Sequence, residues 1–125
     1  MTRRLLLVDD DDGVRLVARV SLERVGGWIV TAVSSGADAL AEAAASPPDA
    51  ILLDVMMPGL DGPSTLAELQ RNDQLAHIPV IFLTAKARSA QHDSLLRLGA
   101  IGVLVKPFDP MQLANQVAAL LGFGP

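Results

Sequence analysis

Five side chains could do phosphoryl chemistry together, and they stand at the carboxyl ends of short apolar runs. Asp9 and Asp10 follow Leu5–Val8, Asp54 follows Ala50–Leu53, Thr84 follows Val80–Leu83, and Lys106 follows Ile101–Val105. Clustered carboxylates raise one another's pKa unless a cation sits among them, and oxygen donors with partial hydration favour Mg²⁺. In such a cluster Asp54 could attack a phosphorus atom and form an acyl phosphate, a covalent role open to aspartate. That attack brings negative charge towards negative charge. A divalent cation and Lys106 would neutralise the phosphoryl oxygens, while the Thr84 hydroxyl donates a hydrogen bond to one of them.

Taken singly, each residue has an ordinary structural reading. An Asp at a strand end usually caps a helix, and Asp11 or Asp12 is expected to cap the first one. Thr84 alone would be a turn or cap residue, and Lys106 alone a solvated surface lysine. Only the joint placement separates chemistry from capping, so the elements that create it carry the reading.

The apolar runs, with a further one at Trp28–Val33, lack a polar residue at every second place and suit strands of a parallel sheet covered on both faces. Between them the spacing is helical. Val14, Val17, Ala18, Leu22 and Val25 form one apolar face, stopped by Gly26-Gly27. Ser35 with Asp38 opens a second helix that reaches Ala45 before Pro47-Pro48. Asp61-Gly62-Pro63 opens a third, with Leu66 and Leu69 inward; a fourth runs from about Ser89 to Leu98 and is closed by Gly99. A fifth starts near Asp109-Pro110, with Val117, Ala118, Leu120 and Leu121 inward. Alternating strand and helix with short links predicts a parallel sheet with helices on both faces and a working site outside the carboxyl ends of the strands.

Composition narrows the function classes. The 125 residues suit one domain over 1–125, with no room for a separate effector module. Half the residues are apolar and 19% are charged, which supplies a core and argues against disorder. A net charge of −4 with scattered Lys and Arg leaves no basic stripe for direct nucleic-acid binding. There is no cysteine, hence neither a disulfide framework nor a thiolate metal site. Thr2-Arg3-Arg4 before Leu5–Val8 is too short an apolar core for export or a membrane span, so a cytoplasmic location is expected. His77 and His92 stand singly and read as surface residues, and the methionines read as packing, with Met1 as the chain start.

As a set, Val8-Asp9-Asp10-Asp11, the stretch Asp54-Val55-Met56-Met57-Pro58-Gly59-Leu60-Asp61-Gly62, Thr84-Ala85-Lys86 and Lys106-Pro107-Phe108 resemble the receiver domains of bacterial two-component response regulators. The resemblance covers essentially the whole chain. It implies a flavodoxin-like doubly wound α/β fold, (βα)5, with a five-stranded parallel sheet in the order 2-1-3-4-5. It implies Asp54 as the phosphorylated residue, Thr84 as the hydroxyl that moves towards the phosphoryl group, and Lys106 as its cation. For Mg²⁺ it implies Asp10 and Asp54 as direct ligands, Asp9 acting mainly through water, and the backbone carbonyl of Met56. A cis bond at Lys106-Pro107 is common in the family and suits a proline. The implied donor is a phosphohistidine on a sensor histidine kinase or histidine phosphotransfer protein. A homodimer, if formed, would use the helix-four, strand-five, helix-five face.

Two features bear on switching and on lifetime: one departure from the common family pattern, at Val103, and the residues at two variable places, Met56 and Lys86. Val103 stands where many members carry an aromatic that turns inward with the threonine, so a switch here is expected to rely on Thr84 and the loop after strand four. Met56 and Lys86 stand two places after Asp54 and Thr84, where the family flanks the water that attacks the acyl phosphate. Neither is a good water-orienting acid or amide, which implies slow self-dephosphorylation. Other classes remain beside this reading. A hydrolase of the aspartyl-phosphate type normally has a second acid two places after the nucleophile, where Met56 stands, and needs a cap this length lacks. A receiver fold that takes no phosphate and serves as an interaction module would be favoured by failure to bind Mg²⁺. The tail Leu121-Gly122-Phe123-Gly124-Pro125 suits both a stand-alone receiver and a piece of a longer regulator.

Overall fold

The computed structural model describes residues 3–123; Met1, Thr2, Gly124 and Pro125 lie outside the described residues. Ten elements alternate along it: β1 (Arg4–Val8), α1 (Asp12–Arg24), β2 (Ile29–Val33), α2 (Gly36–Ala45), β3 (Ala50–Asp54), α3 (Gly62–Arg71), β4 (Val80–Thr84), α4 (Ser89–Arg97), β5 (Gly102–Val105) and α5 (Leu113–Leu121). All strand pairs are parallel and the order is β2-β1-β3-β4-β5, the flavodoxin-like arrangement the resemblance implies.

Alternate residues of the central strands feed two cores. Leu6, Val8, Ile51, Leu53 and Phe82 face Ala39 and Ala43 of α2 and Leu66 and Leu69 of α3, with Leu95 of α4 packed on the margin. Leu5, Leu7, Leu52, Ile81 and Leu83 face Ala18 and Leu22 of α1 and Leu113, Ala114 and Val117 of α5. Helices on both faces explain the near-continuous apolar runs of β1, β3 and β4. The edge strands differ: Ile29 and Thr31 of β2 are exposed, Ile101 lies outside β5 and is exposed, and Val103 and Val105 are only half-buried. An edge strand has a neighbour on one side only, so its covering helices overhang less of it.

Helix starts follow the capping chemistry. Asp11, Ser35 and Asp61 accept from the backbone N–H of Val14, Asp38 and Ser64, each satisfying an otherwise orphan donor. Two inner faces differ from the sequence reading. In α1 the buried residues are Ala18, Ser21 and Leu22, while Val17 and Val25 are exposed together with Leu16 and Val20. Ser21 can be buried there because its hydroxyl donates to the Pro110 carbonyl. The fifth helix begins at Leu113 rather than near Asp109, since Asp109 first makes a turn in which its carboxylate accepts from the Met111 N–H. Its inner face is Leu113, Ala114 and Val117, and Leu120 is exposed. Met57 packs in the core as expected, whereas Met111 is exposed.

Candidate functional site

The carboxyl ends of β1, β3, β4 and β5 bring the expected side chains to one edge of the sheet. Asp54 and Thr84 are the last residues of β3 and β4, and Asp9 and Lys106 directly follow β1 and β5. The register sets their depth: Asp54 pairs with Leu83 and Thr84 with Val105, and the Lys106 N–H donates to the Thr84 carbonyl at 2.7 Å.

The Lys106 ammonium bridges two buried acids, donating to Asp54 Oδ1 at 3.0 Å and to Asp9 Oδ2 at 3.1 Å. Asp9 is 0% and Asp54 2% exposed, while Asp10 lies open to solvent. Oxygens of Asp9, Asp10 and Asp54 all lie within 4.8 Å of one another. Burial, above all, pushes the Asp54 carboxyl up to about 6; the Lys106 hydrogen bond opposes this and the Asp9 charge adds to it. Burial also works against the Lys106 ammonium, yet the hydrogen bonds and charges of Asp54 and Asp9 outweigh it and hold its pKa above the ordinary lysine value. One ammonium thus serves two carboxylates, and Asp10 adds a third acid beside them. The all-oxygen donor set and the buried negative charge fit a hard divalent cation such as Mg²⁺, with Asp10 on the solvent side of the cluster.

Thr84 is buried, and its Oγ1 accepts from the Lys86 N–H at 3.1 Å. The Lys86 carbonyl in turn lies 2.8 Å from His92 Nε2, which ties the β4–α4 loop to α4. His77 is exposed, but His92 is half-buried and holds this contact instead of standing free. Met56 is 67% exposed beside the site. Lys106-Pro107 is cis.

Several residues that shape the site carried no functional expectation. Gly62 donates to the Val55 carbonyl at 2.9 Å, and a Cβ there would lie 2.4 Å from the Asp54 carbonyl oxygen. The loop after Asp54 can therefore close on the strand end only without a side chain at 62. Arg15 reaches back from α1 to donate to the Asp9 carbonyl at 2.8 Å. Its spacing from Asp12, three places on in a helix, signals their ion pair and not the contact with Asp9. Asp11 does cap α1, and the Asp11 N–H donates to Asp9 Oδ1 at 2.9 Å.

Known proteins agree with this geometry. Residues 5–118 match the family model described as the response regulator receiver domain. The chain is 37% identical over 121 residues to the alkaline phosphatase synthesis transcriptional regulatory protein PhoP of Bacillus subtilis, covering 97% of this chain and 49% of that protein. It is 42% identical over 122 residues to the transcriptional regulatory protein GltR of Pseudomonas aeruginosa, covering 95% of this chain and 49% of that one. The chain spans about half the length of the curated relatives it matches. Among solved structures, the chemotaxis response regulator CheY4 of Vibrio cholerae superposes with a TM-score of 0.89 at 28% identity, covering 96% of this chain and 99% of that one. The N-terminal domain of a response regulator receiver protein from Methanoculleus marisnigri gives 0.79 at 31% identity, covering 97% and 98%. With fold, acidic pocket and family model in agreement, the chain belongs to the response regulator receiver domain family of two-component signalling.

Proposed function

We propose that Asp54 is the phosphoacceptor, that residues 1–125 form one receiver domain, and that the donor is a phosphohistidine on a sensor histidine kinase or a histidine phosphotransfer protein. The observation that carries this is the buried Asp54 carboxylate, held by Lys106 and sharing an all-oxygen pocket with Asp9 and Asp10. Asp10, Asp54 and the Met56 carbonyl would hold Mg²⁺ directly, and Asp9 would act through water. When bound, Mg²⁺ supplies positive charge that offsets the charge on the transferred phosphoryl oxygens.

Asp54 provides the attacking oxygen. Its bond to phosphorus forms as the phosphorus–nitrogen bond of the donor breaks, and the imidazole nitrogen keeps the electron pair. Lys106, already within hydrogen-bond distance of Asp54, pairs with a phosphoryl oxygen, and Thr84 exchanges its bond from the Lys86 N–H for a role as donor to the phosphoryl group. The domain catalyses its own phosphorylation and slow self-dephosphorylation, and the phosphorylation state switches binding to a partner or output module. No helix among the described residues is long and apolar enough to cross a membrane. A cytoplasmic setting belongs to this reading, as does the lack of direct nucleic-acid contact, for which a net charge of −4 without a basic stripe is the support. If the chain pairs with itself, exposed Leu98, Ile101 and Leu120 mark the α4–β5–α5 face for it.

Phosphoramidate carries the same phosphorus–nitrogen bond as the natural donor and tests the assignment. Incubation with Mg²⁺, borohydride reduction and peptide mass spectrometry should find homoserine at position 54. Homoserine at another aspartate, or none under conditions that keep the chain folded, would count against Asp54.

A further inference from the structure

The acidic run Asp9–Asp12 divides its labour. Asp9 pairs with Lys106, Asp11 caps α1, and Asp12, 92% exposed, pairs with the Arg15 guanidinium, itself only 22% exposed. An exposed ion pair of this kind contributes little by itself. The second bond of Arg15 is of a different sort: Nη1 donates to the Asp9 main-chain carbonyl at 2.8 Å in a part-buried setting. That carbonyl belongs to the planar peptide unit joining Asp9 to Asp10, so its orientation sets the direction in which Asp10 leaves the strand. The rest of Asp9 is already anchored: its N–H donates to the Val33 carbonyl at 3.2 Å, Oδ1 accepts from Asp11 and Oδ2 from Lys106. Arg15 therefore acts where the rigid end of β1 gives way to the solvent-facing carboxylate of Asp10.

We propose that Arg15 is a positioning residue for the cation site: it holds the Asp9–Asp10 peptide so that Asp10 faces Asp9 and Asp54, and it keeps the Asp12 carboxylate paired outside the pocket. The guanidinium can do both at once because its donors form a planar fork; a lysine ammonium is a point donor on a flexible stem. The inference rests on the reading of Asp10 and Asp54 as Mg²⁺ ligands.

Charge and positioning predict opposite signs. Removing the cation that stands at the Asp9 carbonyl should tighten Mg²⁺ binding in the adjoining acidic pocket by Coulomb attraction alone, whereas freeing the Asp9–Asp10 peptide should weaken it. Calorimetric Mg²⁺ titration of the full chain, comparing wild type, Arg15→Met, Arg15→Lys and Asp10→Asn, separates them, with the urea midpoint of each metal-free protein as a control. Arg15→Met should weaken Mg²⁺ binding about 10-fold, as loss of a partner that orients a metal ligand does. Arg15→Lys, which keeps the charge and loses the fork, should fall between Met and wild type, and it carries the test if Arg15→Met does not fold. Equal or tighter binding in the Arg15 variants, with or without a lower urea midpoint, would overturn the proposal and leave the metal reading standing. No Mg²⁺ binding by wild type, or wild-type affinity in Asp10→Asn, would overturn both.

Discussion

As the proposed phosphoacceptor, Asp54 would combine two demands that oppose each other: it must be buried to be held for attack, and it must be ionised to attack. The structure shows the cost, since burial raises its pKa from the ordinary 3.8 to about 6 in the metal-free protein. Between those two values the folded chain binds more protons than the unfolded one, so stability falls as pH rises through about 6 and is recovered on acidification. Asp54→Asn keeps the shape and an acceptor for Lys106 while removing the charge. In EDTA at pH 8 it should stabilise the chain by about 1–3 kcal/mol, and the gain should fade as pH approaches 4; urea unfolding at both pH values checks this. Met56, open to solvent beside the site, has no group to orient an attacking water. Phosphorylated Met56→Asn should lose its phosphoryl group several-fold faster than wild type, read as phosphate release after donor removal; an unchanged rate would contradict the slow-decay reading. At this scale the sequence was most legible, because residue types and strand-end positions suffice to gather Asp9, Asp10, Asp54, Thr84 and Lys106. Arg15 escaped notice because its contact is with a main-chain carbonyl, which no residue type announces.

At the scale of elements, central strands are readable and helix faces less so. β1, β3 and β4 announce themselves because both faces are covered, and the caps Asp11, Ser35 and Asp61 because a side-chain acceptor must precede free N–H groups. Helix α1 misleads because its apolar residues surround it: Leu16, Val17, Val20 and Val25 are exposed, while the buried stripe includes Ser21. Periodicity finds apolar residues and cannot tell which of them meets the sheet; a serine satisfied by a carbonyl 89 residues away is invisible to it. Two substitutions separate ordinary capping from site building. Ser35→Ala should cost about 1 kcal/mol by urea unfolding and leave phosphorylation intact. Gly62→Ala, whose Cβ would meet the Asp54 carbonyl at 2.4 Å, should cost more and also slow phosphoryl acceptance, read by mass spectrometry over time. The β4–α4 loop links Thr84 to α4 through Lys86 and His92. With Val103 packed half-buried beside the core, no aromatic ring is available there to turn inward. Beryllofluoride with Mg²⁺ should therefore shift amide resonances from Thr84 to His92 more than those of β5 and α5; equal shifts across the whole face would contradict this.

Over the whole molecule, one sheet holds the site rigid between two apolar cores, and the acidic pocket is a local excess of negative charge on a chain of net charge −4. A cation that binds the folded pocket and not the unfolded chain must stabilise the fold, by about 1.4 kcal/mol at tenfold excess over its Kd. Thermal unfolding followed by circular dichroism should thus shift upwards with Mg²⁺ and return with EDTA, and the shift should vanish in Asp10→Asn. The most direct measurement is intact-mass spectrometry after incubation with acetyl phosphate, run on wild type with Mg²⁺, wild type with EDTA, and Asp54→Ala with Mg²⁺. A single phosphoryl adduct confined to the first sample is the expected result. An adduct that persists in folded Asp54→Ala or in EDTA, or none in any sample while the wild-type chain is folded, would contradict Mg²⁺-dependent phosphoryl acceptance at Asp54.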